Sequence, residues 1–154
     1  MKRYLLILAA ALLLLTGCGK QEAATSRAIS EGDALEISTG ELSTSIKIYS
    51  FTVDGLQMEV LAAKDEDGTV RTAFNTCQVC NGSPKAYFEE KGDGVVCQNC
   101  GNAFGRKDVG VLSGGCNPYP IFASDREDTE NAVRISYDYL KDNAGLFARW
   151  KNNG

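Results

Sequence analysis

Apolar and polar residues alternate along residues 46–53 and again along 56–62, with Asp54-Gly55 between the two runs. A period of two marks a strand, and Asp-Gly between two such runs favours the tight turn of a hairpin. On the second run Leu56, Met58, Val60 and Ala62 share one face, with Gln57 and Glu59 on the other. Residues 34–39 alternate weakly and suit an earlier strand. Val70, Thr72 and Phe74 carry the pattern on beyond the acidic turn Asp65-Glu66-Asp67-Gly68. That turn lacks the further spaced oxygen ligands of a calcium loop, so it is expected to be solvated.

Residues 131–137 alternate again through Val133, Ile135 and Tyr137. Beyond Asp138 the interval changes, and Leu140, Ala144, Phe147 and Trp150 recur at helical spacing, although Gly145 weakens the pattern. The fold class expected is mainly β: a small antiparallel β domain with a short C-terminal helix. One internal echo stands out. Leu35-Glu36-Ile37-Ser38 followed by Leu42 resembles Val133-Arg134-Ile135-Ser136 followed by Leu140, as two strand-to-loop units flanking the centre. Coincidence accounts for so short a match equally well.

The start of the chain reads differently. Met1-Lys2-Arg3 is a short positive segment, and residues 4–15 form an apolar run of twelve. Spanning a bilayer takes roughly 20 residues, so this is the pattern of an export signal. It ends Leu15-Thr16-Gly17-Cys18, which resembles the bacterial lipobox, whose cysteine becomes a lipidated N-terminus. The expected organisation is a lipoprotein signal peptide over 1–17, a lipidated polar tether over 18–33, and a cysteine-rich domain over 34–150. Cys18 is the lipidation site, and the protein is expected on the extracytoplasmic face of a cell membrane, held by that anchor.

Composition narrows the chemistry. At 44% hydrophobic and 23% charged residues, the 154-residue chain is neither a disordered tail nor a polytopic membrane protein. Its net charge is -4. The absence of a basic stripe argues against a nucleic-acid partner. There is no histidine at all, which excludes Ser-His-Asp and Cys-His catalysis and every histidine-bearing metal site. No catalytic residue is assigned.

Five cysteines remain beyond Cys18: Cys77, Cys80, Cys97, Cys100 and Cys116. The first four make two C-x2-C pairs separated by sixteen residues. Two intervening residues let the chain curl so that both sulfurs face one ion, and two such knuckles supply a tetrahedral four-thiolate site. Asn81-Gly82 and Gly101 follow the pairs, where glycine lets backbone N–H groups turn toward the sulfurs. The rival readings are structural disulfides, because exported cysteines oxidise, and an active dithiol exchanger. Five is an odd number for disulfides, and no thioredoxin-like βαβ pattern surrounds either pair. Cys116, in Gly114-Gly115-Cys116-Asn117-Pro118, is a candidate fifth thiolate, a replacement ligand or a reactive thiol; a buried structural role is equally open. Spacing alone favours zinc.

Three segments carry a family resemblance. Ala73-Phe74-Asn75-Thr76-Cys77-Gln78-Val79-Cys80, Val96-Cys97-Gln98-Asn99-Cys100-Gly101 and Gly114-Gly115-Cys116-Asn117-Pro118 resemble, in that order, the FtrD-like membrane iron–sulfur proteins. The similarity runs over about residues 34–120. It implies an iron–sulfur cluster or iron at the cysteines; a zinc ribbon that holds an interaction module together stays as the alternative. It further implies a role in bacterial iron uptake or electron transfer, beside an iron permease or another envelope redox protein. Two departures are visible: members commonly carry several transmembrane helices, and Asn75 stands where the family often has an acidic residue.

Overall fold

The computed structural model describes residues 26–153. Cys18, the expected signal segment and most of the expected tether lie outside them. The described residues are mainly β, as expected, with eleven strands in three sheets. In chain order these are β1 (Arg27–Ile29), β2 (Ala34–Ser38), β3 (Lys47–Val53), β4 (Leu56–Lys64), β5 (Val70–Cys77) and β6 (Phe88–Lys91). Then follow β7 (Gly94–Cys97), β8 (Ala103–Gly105), β9 (Pro118–Pro120), β10 (Glu127–Asp128) and β11 (Ala132–Ser136).

The hairpin expected at Asp54-Gly55 is β3–β4, in register from Val53↔Leu56 to Lys47↔Ala62. Asp54 and Gly55 both take positive φ, 50° and 83°, the backbone that matches the twist of the flanking strands. These two strands and β5 form the middle of a five-stranded sheet ordered β1-β3-β4-β5-β9. Its edge strand β1 runs parallel to β3, which departs from the all-antiparallel expectation. The strand also begins seven residues before the expected domain start at residue 34, inside the stretch read as tether.

The two echoing segments are neighbours. β2 and β11 pair antiparallel, Leu35 opposite Ile135 and Ile37 opposite Val133, in a sheet ordered β10-β11-β2. Each is followed by a helical turn: a 3-10 turn at Thr39–Glu41 after β2, and α1 (Tyr137–Asp142) after β11. The Ser136 hydroxyl caps α1 by accepting from the Tyr139 N–H. The expected terminal helix is thus only six residues long. Phe147 and Trp150 reach the core from 3-10 turns beyond Asn143, because the chain breaks its helix there and re-enters at a new angle.

Both faces of the central sheet are covered, which the alternation on β4 did not show. One face packs Phe51, Met58, Val60 and Phe74 against Ile37, Val133 and Ile135, with Phe147 and Trp150. The other packs Leu61, Ala63 and Ala73 against Phe88, Val95, Val109 and the thiols of Cys77 and Cys97. That second layer is the β6-β7-β8 sheet. Glu59, on the face expected to be polar, is therefore buried. It survives there by charge pairing and hydrogen bonding, to Lys151 Nζ at 3.0 and 3.1 Å, Ser50 Oγ at 3.1 Å and Asn75 Nδ2 at 2.7 Å. The acidic turn differs too. Asp65 is buried and bound by Arg71 Nε at 2.9 Å and Arg106 Nε at 3.0 Å, so it pins the β4–β5 turn to the segment after β8.

Candidate metal centre

Each cysteine pair begins where a strand ends. Cys77 closes β5 and Cys97 closes β7, and both strands belong to the second core. The Cys77 N–H donates to Ala86 O at 2.9 Å, and the Cys97 N–H to Asn102 O at 2.9 Å. Each chain then turns sharply: Ser83 N–H to Cys80 O at 3.0 Å, and Gly101 N–H to Cys97 O at 2.9 Å. Gly82 and Gly101 hold φ of 94° and 75° at these turns, a backbone that a side chain would strain.

The two knuckles bring four sulfurs together. The Sγ atoms of Cys77, Cys80, Cys97 and Cys100 all lie within 4.8 Å of one another. Cys77 and Cys97 are buried, Cys80 half-buried and Cys100 exposed, so the cluster has an inner wall and one solvent-facing edge. Peptide N–H groups converge on the sulfurs: those of Cys80 and Val79 on Cys77, those of Cys100 and Asn99 on Cys97, and that of Asn102 on Cys100. Such donors stabilise thiolate charge.

Burial pushes the thiols of Cys77 and Cys97 above their ordinary value, against the pull of those N–H groups. Cys100 goes the other way, to about 7, chiefly because of the Asn102 N–H, with further donation from the neighbouring thiols. A soft ion reverses the penalty on the buried pair, since it binds thiolate and displaces the proton.

Cys116 stands beside this group and outside the four-sulfur set. Its carbonyl accepts from the Cys77 thiol at 3.5 Å, and its side chain hydrogen-bonds Cys100. The loop that carries it is fastened by Gln78 and Asn117, to which the cysteine spacing assigns no role. Gln78 Oε1 accepts from Gly114 N–H at 2.7 Å, and Asn117 Nδ2 donates to Gly114 O at 2.7 Å. At the start of this loop Gly110 lies close against the Thr72 backbone.

Asn75, marked in the sequence only as a departure from the family pattern, has a structural role as well. Fully buried, it bridges strands whose backbones do not pair at that point. Its Oδ1 accepts from Phe88 N–H at 2.7 Å, and its Nδ2 donates to Phe88 O at 3.2 Å and to Glu59. The C-terminal turns brace the same place. Trp150 Nε1 donates to Asn75 O at 2.7 Å, and Asn81 Nδ2 in the first knuckle donates to Leu146 O at 2.6 Å. Buried amides with three or more partners were the available signal, but their partners are far away in sequence.

A β domain that gathers four cysteines at the ends of two strands, backed by N–H donors, defines a cysteine-rich metal-binding module. A family model described as "Membrane iron-sulfur containing protein FtrD-like" matches residues 28–147. The chain belongs to the FtrD-like family, as its three cysteine segments led one to expect. No curated protein and no solved structure matches it. The family is described as membrane-associated, and among the described residues no helix is long and apolar enough to cross a membrane. Four thiolates suit iron or zinc alike. The iron–sulfur group in the family's description fits the donor type, but not the spacing of these sulfurs.

Proposed function

We propose that this chain is a lipid-anchored metal protein on the extracytoplasmic face of a cell membrane, carrying iron at its four cysteines and accessory to iron uptake or electron transfer. The observation that carries this reading is the group of four sulfurs with one edge at the surface. A four-thiolate ion is coordinatively full, so it can exchange an electron without exchanging a ligand. The protein's part is to hold Cys77 and Cys97 on rigid strands, to lower the cost of thiolate charge with N–H donors, and to present Cys100 to a partner.

The surroundings of Cys100 support contact with another protein. No residue from 76 to 83, from 96 to 102 or from 111 to 117 is charged, in a chain of net charge -4. Val79 and Leu112 are exposed, on segments joined by the Gln78 Nε2 bond to Leu112 O at 3.4 Å. An iron permease or an envelope redox protein is the partner that the family membership suggests. Cys18 would supply the anchor.

A structural zinc site is the second reading, and the place of Cys77 and Cys97 inside the hydrophobic core favours it. One experiment separates the two. A strain lacking the chain is grown on scarce iron, and the native protein is titrated by redox potentiometry. Poor growth, restored by the parent sequence but not by Cys18→Ala, together with a reversible one-electron couple, supports the proposal. Normal growth and a redox-silent zinc protein would replace it with the structural reading.

A further inference from the structure

We infer that the four cysteines take one tetrahedral ion with no inorganic sulfide, in contrast to the cluster that the family's description implies. The inference rests on reading Cys77, Cys80, Cys97 and Cys100 as metal ligands, and it specifies what they bind.

Distance carries the argument. Four thiolates around one ion, with bonds of about 2.3 Å, stand about 3.8 Å apart along the tetrahedral edges. The observed limit of 4.8 Å for every pair leaves only a small closure to reach that arrangement. A cluster places opposite thiolates on different irons. Two metal–sulfur bonds and a metal–metal gap then separate them along a bent path, so that they stand roughly 6 Å apart. No pair among these four sulfurs is that far apart.

The framework also resists spreading. Cys97 lies opposite Phe88 in the β6–β7 ladder, and Asn75 ties Phe88 to the strand that ends in Cys77. Moving the knuckles apart would break one of those links. Ala86, Phe88, Val95 and Val109 pack around the buried thiols, an apolar wall that offers bridging sulfides no hydrogen bond. The nearby N–H donors are already directed at cysteine sulfurs. At the mouth, the Cys116 carbonyl lies on Cys77 and its thiol on Cys100, where a larger group would have to protrude.

The test uses the full-length chain, purified anaerobically from its native envelope, with iron, zinc and acid-labile sulfide counted per chain. The expected result is one metal ion per chain and no sulfide, unchanged in Cys116→Ser, a variant that leaves the four ligands in place. Cobalt(II) exchanged into the protein should give the intense visible bands of one tetrahedral thiolate ion. Two or more irons with matching sulfide would overturn the inference while leaving the four cysteines as ligands. Metal-free protein whose cysteines resist alkylation until reduced would overturn both readings.

Discussion

Replacing Asn75 by Ala removes the clip between the two halves of the site. Three side-chain hydrogen bonds go: two with the Phe88 backbone, at 2.7 and 3.2 Å, and one to Glu59 at 2.7 Å. All are buried, so Phe88 N–H and C=O are left without water to replace the amide, and Glu59 loses one of its donors. Two neutral bonds at about 1 kcal/mol each and one to a carboxylate at about 2 kcal/mol give a loss of about 4 kcal/mol. That is a large part of a domain stability of roughly 5–15 kcal/mol. For a domain of this size it lowers Tm by on the order of 10 °C. Because Phe88 sits opposite Cys97 and Asn75 lies two residues before Cys77, the knuckles should loosen together. Metal affinity should fall about 10-fold or more, as it does when supporting groups behind ligands are lost. Thermal unfolding of the metal-loaded protein and competition with a chromophoric chelator measure both effects. A Tm within about 3 °C of the parent, with affinity unchanged, would refute the idea that this amide holds the knuckles in place.

Three further outcomes are expected. Burial raises the Asp65 carboxyl, and the Arg71 and Arg106 guanidiniums outweigh it, leaving the group below its ordinary value of 3.8. Its stabilising effect is present above that value and lost as the pH falls through the lower native one; Asp65→Asn should cost about 2 kcal/mol near neutrality and flatten the acid limb of stability against pH. Gly110→Ala drives a Cβ into Thr72 O at a φ of +70°, so it should destabilise by more than about 2 kcal/mol, read by urea titration. Cys116→Ser should keep the fold and the metal while changing the rate of metal release to a chelator; stoichiometric metal loss would make Cys116 a ligand.

The strands and the site were legible to different depths. The β3–β4 hairpin, β5 and the cysteine pairs stood in the sequence because each depends on neighbours within a few residues. The pairing of β2 with β11 was not read from the sequence, which showed only that the two segments are alike. The second layer on β4 was not readable, because Glu59 looks solvent-facing until Lys151, 92 residues away, is placed against it. Asn75 failed for the same reason: its partners Glu59, Phe88 and Trp150 come from four separate segments once its own is counted. The short β1 strand has no alternation to see, and only its parallel pairing with β3 defines it.

That edge strand sets a height. With lipid on Cys18, as proposed, eight residues, and so nine peptide links, separate the anchor from Arg27, where the sheet takes hold of the chain. Fully extended they reach roughly 30 Å, less than the full width of a bilayer with its headgroups. A domain on so short a leash cannot roam the periphery. On that proposal, a protein receiving an electron or an ion at Cys100 would have to meet the domain close above the lipid surface.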